Sequence, residues 1–136
     1  MKKITTIAVL ALLFAACSDT KKEEKTLKES VLNFHEQVMA DDEKAMINKM
    51  KLDTLIMQAK AAKADTATLK QLSTALVTAD DAMGNWMSKL DVEYANADHN
   101  QVMKYWQDQQ KQVKNIDSML VTATSAASAY LGKIKK

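Results

Sequence analysis

Proline is absent from this chain of 136 residues, and glycine occurs only at positions 84 and 132. Residues that favour turns are therefore scarce, which argues for a few long helices. Arginine is absent as well: all 19 basic residues are lysines. Nucleic-acid readers lean on guanidinium forks and a basic face, so the composition argues against that class of partner. A single cysteine, Cys17, leaves no disulfide and no thiolate pair. Stability has to come from packing. No glycine-rich phosphate loop, nucleophile elbow or His-Glu-x-x-His pattern occurs. No catalytic residue and no resident cofactor are expected, and the chain reads as a non-enzyme.

What is present starts at the N-terminus. Lys2 and Lys3 precede an apolar run from Ile4 to Phe14, then Ala15, Ala16 and Cys17. A basic n-region, a short apolar core and small residues before a cysteine form a bacterial lipoprotein signal. The run is too short to span a hydrocarbon core of roughly 30 Å as a helix. Phe14 stands where such signals usually carry leucine. The expectation is a signal peptide over 1–16, a lipidated tether over 17–25 and a folded domain over 26–132. Cys17 would carry the lipid and the membrane would be the first partner, at the periplasmic face or the surface of the outer membrane. Without the signal, lysines and acidic residues balance at 17 each, because Lys2 and Lys3 are removed from 19. The tether, with Lys21-Lys22-Glu23-Glu24, is polar and should bury nothing.

Thr26 and Glu29 have the form of a capping box, which opens a helix over about 27–62. Its apolar residues, among them Val31, Val38, Ala45, Met46, Met50, Leu52, Ile56 and Met57, fall on one broad face at 100° per residue. The seam keeps phase through Asp41-Asp42-Glu43; a break near Asp41 is the alternative. Asp65 can cap a second helix over about 66–90, with Leu69, Leu72, Leu76, Ala79, Met83, Trp86 and Leu90 at alternating spacings of three and four. Gly84 within it suggests close approach of a neighbouring helix. A third helix over about 97–131 repeats the pattern from Val102 to Tyr130, with Gly132 placed as a C-terminal cap. Short connections make neighbours antiparallel, so the sequence predicts an all-α, up-down-up three-helix bundle with coiled-coil-like packing.

Pairing the helices through their turns places residue 86 opposite about 42, and residue 87 opposite about 100. One zone should then hold both histidines, His35 and His99, both tryptophans, and methionines including Met39, Met46, Met83, Met87 and Met103. Helices 1 and 3 should outrun helix 2 at opposite ends. Leu27, Val31 and Phe34, and likewise residues 123–131, would lack its cover and invite a protein partner or self-association.

The segments His35-Glu36-Gln37-Val38-Met39 with Ala45-Met46 and Met50, and Ala79-Asp80-Asp81-Ala82-Met83-Gly84-Asn85-Trp86-Met87, carry a resemblance. Over roughly 27–131 the chain resembles small, uncharacterised lipoproteins of the Bacteroidota often labelled "viral A-type inclusion protein". Members commonly have a second histidine and a proline in helix 1, where this chain has Asp42 and Asn48. The resemblance implies an envelope lipoprotein and a helical bundle, and implies no chemistry. The charged stretch after Cys17 also resembles that of surface-exported lipoproteins of the same phylum.

Three functional classes follow. The first is a lipid-anchored helical module that binds another envelope component or itself. Methionine fills irregular gaps and adapts to partners, which suits that role. The second is a Cu(I) or haem site, with His35, Met39, His99 and Met103 as candidate ligands. Imidazole and thioether donors suit Cu(I), and bundle cores can hold haem. No Cys-x-x-Cys-His attachment motif accompanies them. The third is acid–base chemistry at Asp42 or Asp53, which share the helix face of His35. Polar residues in a seam more often fix register.

Overall fold

In the computed structural model, the backbone is described for residues 4–134 and the side chains for residues 19–134. Three α-helices follow one another: α1 (Ile4–Ala61), α2 (Ala67–Met87) and α3 (His99–Ile134). Each packs against the other two in an up-down-up bundle, and no strand occurs among the described residues.

The core is built from rows. On α1, Val31, Val38, Ala45 and Leu52 recur every seven residues and are all fully buried. A seven-residue repeat is slightly under-wound against 3.6 residues per turn, so the row stays on the seam only if the helices coil left-handedly. On α2 the buried residues are Leu69, Ser73, Leu76, Ala79, Met83 and Trp86. On α3 they are Val102, Trp106, Val113, Ile116, Leu120, Ala123 and Ala127. Burying a side chain the size of Leu76 or Leu120 is worth about 1.5–3 kcal/mol, so these rows supply the main driving force.

α1 does not open at Thr26. The Thr26 hydroxyl donates to the Lys22 carbonyl oxygen within the helix, and Glu29 pairs with Lys25. The expected capping box is therefore not formed. Residues 19–25, expected as a tether that buries nothing, belong to α1, and Glu24 is only 7% exposed. It sits one heptad before Val31, in phase with the core row. No break occurs at Asp41. Asp65 does not cap α2 as expected: the helix starts at Ala67 with Thr66 at its N-cap and no side-chain cap, and the Asp65 carboxylate, one residue earlier, accepts a hydrogen bond from the Ala67 N–H at 2.9 Å.

Both glycines were expected to shape the backbone, and neither does. Gly84 has open space where a Cβ would stand, so no neighbouring helix approaches it closely. α3 runs on through Gly132 to Ile134, without a positive φ at that glycine. The one positive φ among the described non-glycine residues is at Lys63, in the α1–α2 turn.

The bundle ends also differ from expectation. α2 stops at Met87, and residues 88–98 fold back along α3 before His99 starts it. The Tyr105 hydroxyl fixes this connector: it accepts from the Asp91 N–H at 2.7 Å and lies 3.2 Å from the Asp91 carbonyl oxygen. Tyr94 stacks on the Tyr105 ring with centroids 4.1 Å apart. α3 thus begins well past the end of α2, alongside the N-terminal part of α1. The helices overhang α2 at one shared end, not at opposite ends. Val31 is buried there, and Leu27, Phe34, Leu90 and Tyr94 pack against the core. At the other end Ala123 and Ala127 are buried as well. Among the described residues, Leu27, Val31, Phe34, Ala123, Ala127, Tyr130 and Leu131, expected to lack cover, are thus buried or packed against the core.

Candidate functional site

Polar side chains that enter the seams show where the helices are pinned. Asn48 on α1 is buried, and its amide donates to the Thr124 carbonyl oxygen and to the Ser128 hydroxyl of α3. The Asp53 carboxylate accepts from Ser73 of α2 at 2.9 Å and from Lys49 at 2.6 Å, and these donors hold its pKa below the ordinary carboxylate value, Lys49 foremost. Asp42 of α1 faces Asp80 of α2. Burial, and then the neighbouring Asp80 carboxylate, push the Asp42 pKa up. On the α3 side Asp117 is likewise raised, by burial and then by Asp41.

At the shared overhang the buried Glu24 carboxylate lies 2.9 Å from Nδ1 of His99 and 3.0 Å from Nζ of Lys21. Glu23 lies 3.7 Å from the other ring nitrogen of His99. The Glu24 pKa is lowered, first by the hydrogen bond to His99, against a smaller opposing effect of burial. His99 is therefore flanked by two carboxylates. Lys28 lies over the Trp106 ring nearby, 5.8 Å from its centroid.

His35 occupies a different level. Its ring meets the Trp86 indole at a centroid separation of 5.6 Å, tilted by 42°. Trp86 is in turn held by its Nε1–H, which donates to Oε1 of Gln109 at 2.8 Å. Nδ1 of His35 lies 3.9 Å from the exposed Glu36 carboxylate. Nε2 points the other way, is buried, and has no hydrogen-bond partner.

The expected His/Met zone is thus split in two. Glu24 fixes His99 eleven residues before the level of His35 on α1, a separation of about 16 Å along the helix. His35 and Met39 stay together with Met83, Trp86 and Met87, whereas His99 and Met103 lie at the overhang. The reason is the connector: a tight turn would have placed residue 100 opposite 87, but residues 88–98 shift α3 by more than two turns. The pairing of α1 with α2 slides as well, since Asp42 meets Asp80 and Trp86 meets His35. The side chain of Cys17, the proposed lipid site, lies outside the described residues.

Two surface features were not anticipated from the sequence. Met50 and Met57, expected on the apolar face of helix 1, are 68% and 66% exposed and form an apolar strip outside the core. Met39 and Met46 share the heptad position of Asp53, which borders α2. A shallow apolar groove also runs between α2 and α3, past Leu72, Ala75, Met119, Ala123 and Ala126. The groove depends on axial register and could not have been found from spacing.

Among the described residues, no group of three or more His, Cys, Asp or Glu side chains is placed to hold a metal ion. None of the described helices is long and apolar enough to cross a membrane. No family model, curated protein or solved structure matches the chain.

Proposed function

We propose that the protein is a cell-envelope lipoprotein, anchored at the outer membrane through a lipid on Cys17, that works as a non-catalytic binding or structural module. The observation that carries the reading is the N-terminal pattern Lys2-Lys3, apolar 4–14, Ala15-Ala16-Cys17. The likeness of residues 27–131 to Bacteroidota lipoproteins supports it from the sequence side. The bundle itself suits a binding role: long helices present broad faces, and exposed methionines adapt to the shape of what they meet. The exposed Met50 and Met57 face of α1 and the α2–α3 groove are the faces available to a protein partner or a second copy, and they replace the helix ends in that role.

Metabolic labelling with a radioactive or clickable palmitate tests the anchor. The wild-type chain should take up label and sediment with membranes, and Cys17→Ser should do neither. A wild-type chain that stays unlabelled and unprocessed would remove the lipoprotein reading.

A further inference from the structure

The half-buried imidazole of His35, with its Nε2 sealed from water, poses a physical problem. A polar nitrogen sealed from water and left without a partner is destabilising. Nε2 finds no hydrogen-bond partner, and the helix register brings methionines to its level. Between the His35–Trp86 and Asp42–Asp80 contacts the antiparallel register is fixed, so residue 39 of α1 falls level with residue 83 of α2, and residue 35 with 86 and 87. His35 and Met39 are one helical turn apart on α1, as are Met83 and Met87 on α2, and both pairs face the α1–α2 seam. Met83 is 2% exposed, whereas Met39 and Met87 are partly open to solvent.

We propose that Nε2 of His35, with thioethers of Met39, Met83 and Met87, forms a binding site for a soft monovalent cation, Cu(I) or its analogue Ag(I). Imidazole and thioether donors suit Cu(I), and none of these ligands needs to lose a proton when the imidazole carries its own on Nδ1, the nitrogen that faces Glu36. The cation would occupy the lone pair that now has nothing to bind. Trp86 completes the site. Its ring faces His35 and its Nε1–H is engaged by Gln109, which fixes the indole with an aromatic face available to a cation. Met39 and Met87 lie at the surface end and give an entry path, and Met83 lies at the core end. His99 and Met103 take no part, because Glu24 and Glu23 already hold that histidine. The proposal goes beyond the anchored-module reading and does not depend on it, since the ligands lie at residues 35–87 whatever is attached to Cys17.

The test is anaerobic titration of the full chain with Cu(I) in competition with bicinchoninate, with tryptophan fluorescence read in parallel and Ag(I) as a redox-inert check. One Cu(I) per chain should bind at sub-micromolar affinity and quench the Trp86 emission. His35→Gln should weaken binding by about a hundredfold or more, and Met39→Leu or Met83→Leu by about tenfold each. Met50→Leu, on the exposed face of α1, should change nothing. Methionine and leucine have similar volume, so the leucine variants test the sulfur without emptying the core. X-ray absorption should show one nitrogen and two or three sulfur neighbours. Failure to take Cu(I) from the competitor, equal affinity in wild type and Met39→Leu, or an oxygen-only shell would each overturn the assignment.

Discussion

The carboxylate of Glu24 lies 2.9 Å from Nδ1 of His99, across 75 residues of sequence, and joins the N-terminal half of α1 to the first turn of α3. Glu24 occupies the heptad position that Val31, Val38, Ala45 and Leu52 fill farther on, so an ion pair continues the apolar row. A buried charge is tolerated there because Lys21 and His99 both engage it.

Replacing Glu24 with alanine should therefore loosen one end of the bundle. Hydrogen exchange of residues 19–27 should speed up by about tenfold or more, equivalent to losing about 1.5–3 kcal/mol of charge-assisted bonding. Exchange from Val113 to Ala127 should not change. Equal protection in the variant would show that the contact holds nothing.

The same pair has a definite pH dependence. The folded-state pKa of Glu24 lies below its ordinary value of 4.5, so its stabilisation is present above that value. It is lost as pH falls through the lowered folded value. Acid titration followed by hydrogen exchange should release residues 19–27 before the central bundle melts.

Asp42 works in the opposite sense. Its folded pKa is raised by burial and by Asp80, so the carboxylate is best tolerated protonated, and stability is lost as pH rises through the folded value. Asp42→Asn should stabilise the protein at pH 7 by about 0.5–2 kcal/mol in urea denaturation. The gain should shrink as the pH approaches 4. A loss of stability at pH 7 would mean that Asp42 has a partner that compensates its charge.

Gly84→Ala is expected to stabilise α2 by about 1 kcal/mol, since the backbone there is helical and a methyl group meets nothing within 4 Å. A thermal melt decides this. A lowered melting temperature would indicate a close neighbour on that face, such as a second copy of the chain.

Leu52→Ala and Asn48→Ala separate packing from pinning. Leu52 is fully buried, and its truncation should cost about 2–5 kcal/mol in global unfolding. Asn48 makes two hydrogen bonds to α3, and its loss should cost about 1–3 kcal/mol. The Asn48 change strands the polar groups of Thr124 and Ser128; the Leu52 change leaves a void.

Much of the fold was legible because periodicity reports which face of a helix is buried. The row Val31, Val38, Ala45, Leu52 and the alternating spacing from Val102 to Ala127 named most of the core. Axial position was not legible. It depends on the connector over 88–98, where the Tyr105 hydroxyl grips Asp91 across fourteen residues, a contact no local pattern announces. That slide is why His99 pairs with Glu24 and not with the His35 level. A local signal also went unused: Thr26 could cap a helix, yet α1 runs through it and the Thr26 hydroxyl donates to the Lys22 carbonyl oxygen. Of the candidate ligands, His35 and Met39 could be named from spacing on one helix. Their company with Met83, Met87 and Trp86 was expected from the turn pairing too, although that pairing set residue 86 opposite 42 and the structure sets it against His35.

The unbroken heptad row of α1 also limits how the chain can change length. Removing one residue between Glu24 and Leu52 would turn everything on one side of the cut by about 100° relative to the other. Glu24 would swing away from His99, or Leu52 away from the core. Removing seven would restore the phase and shorten the rod by about 10 Å. Viable deletions in this stretch of α1 should therefore come in sevens.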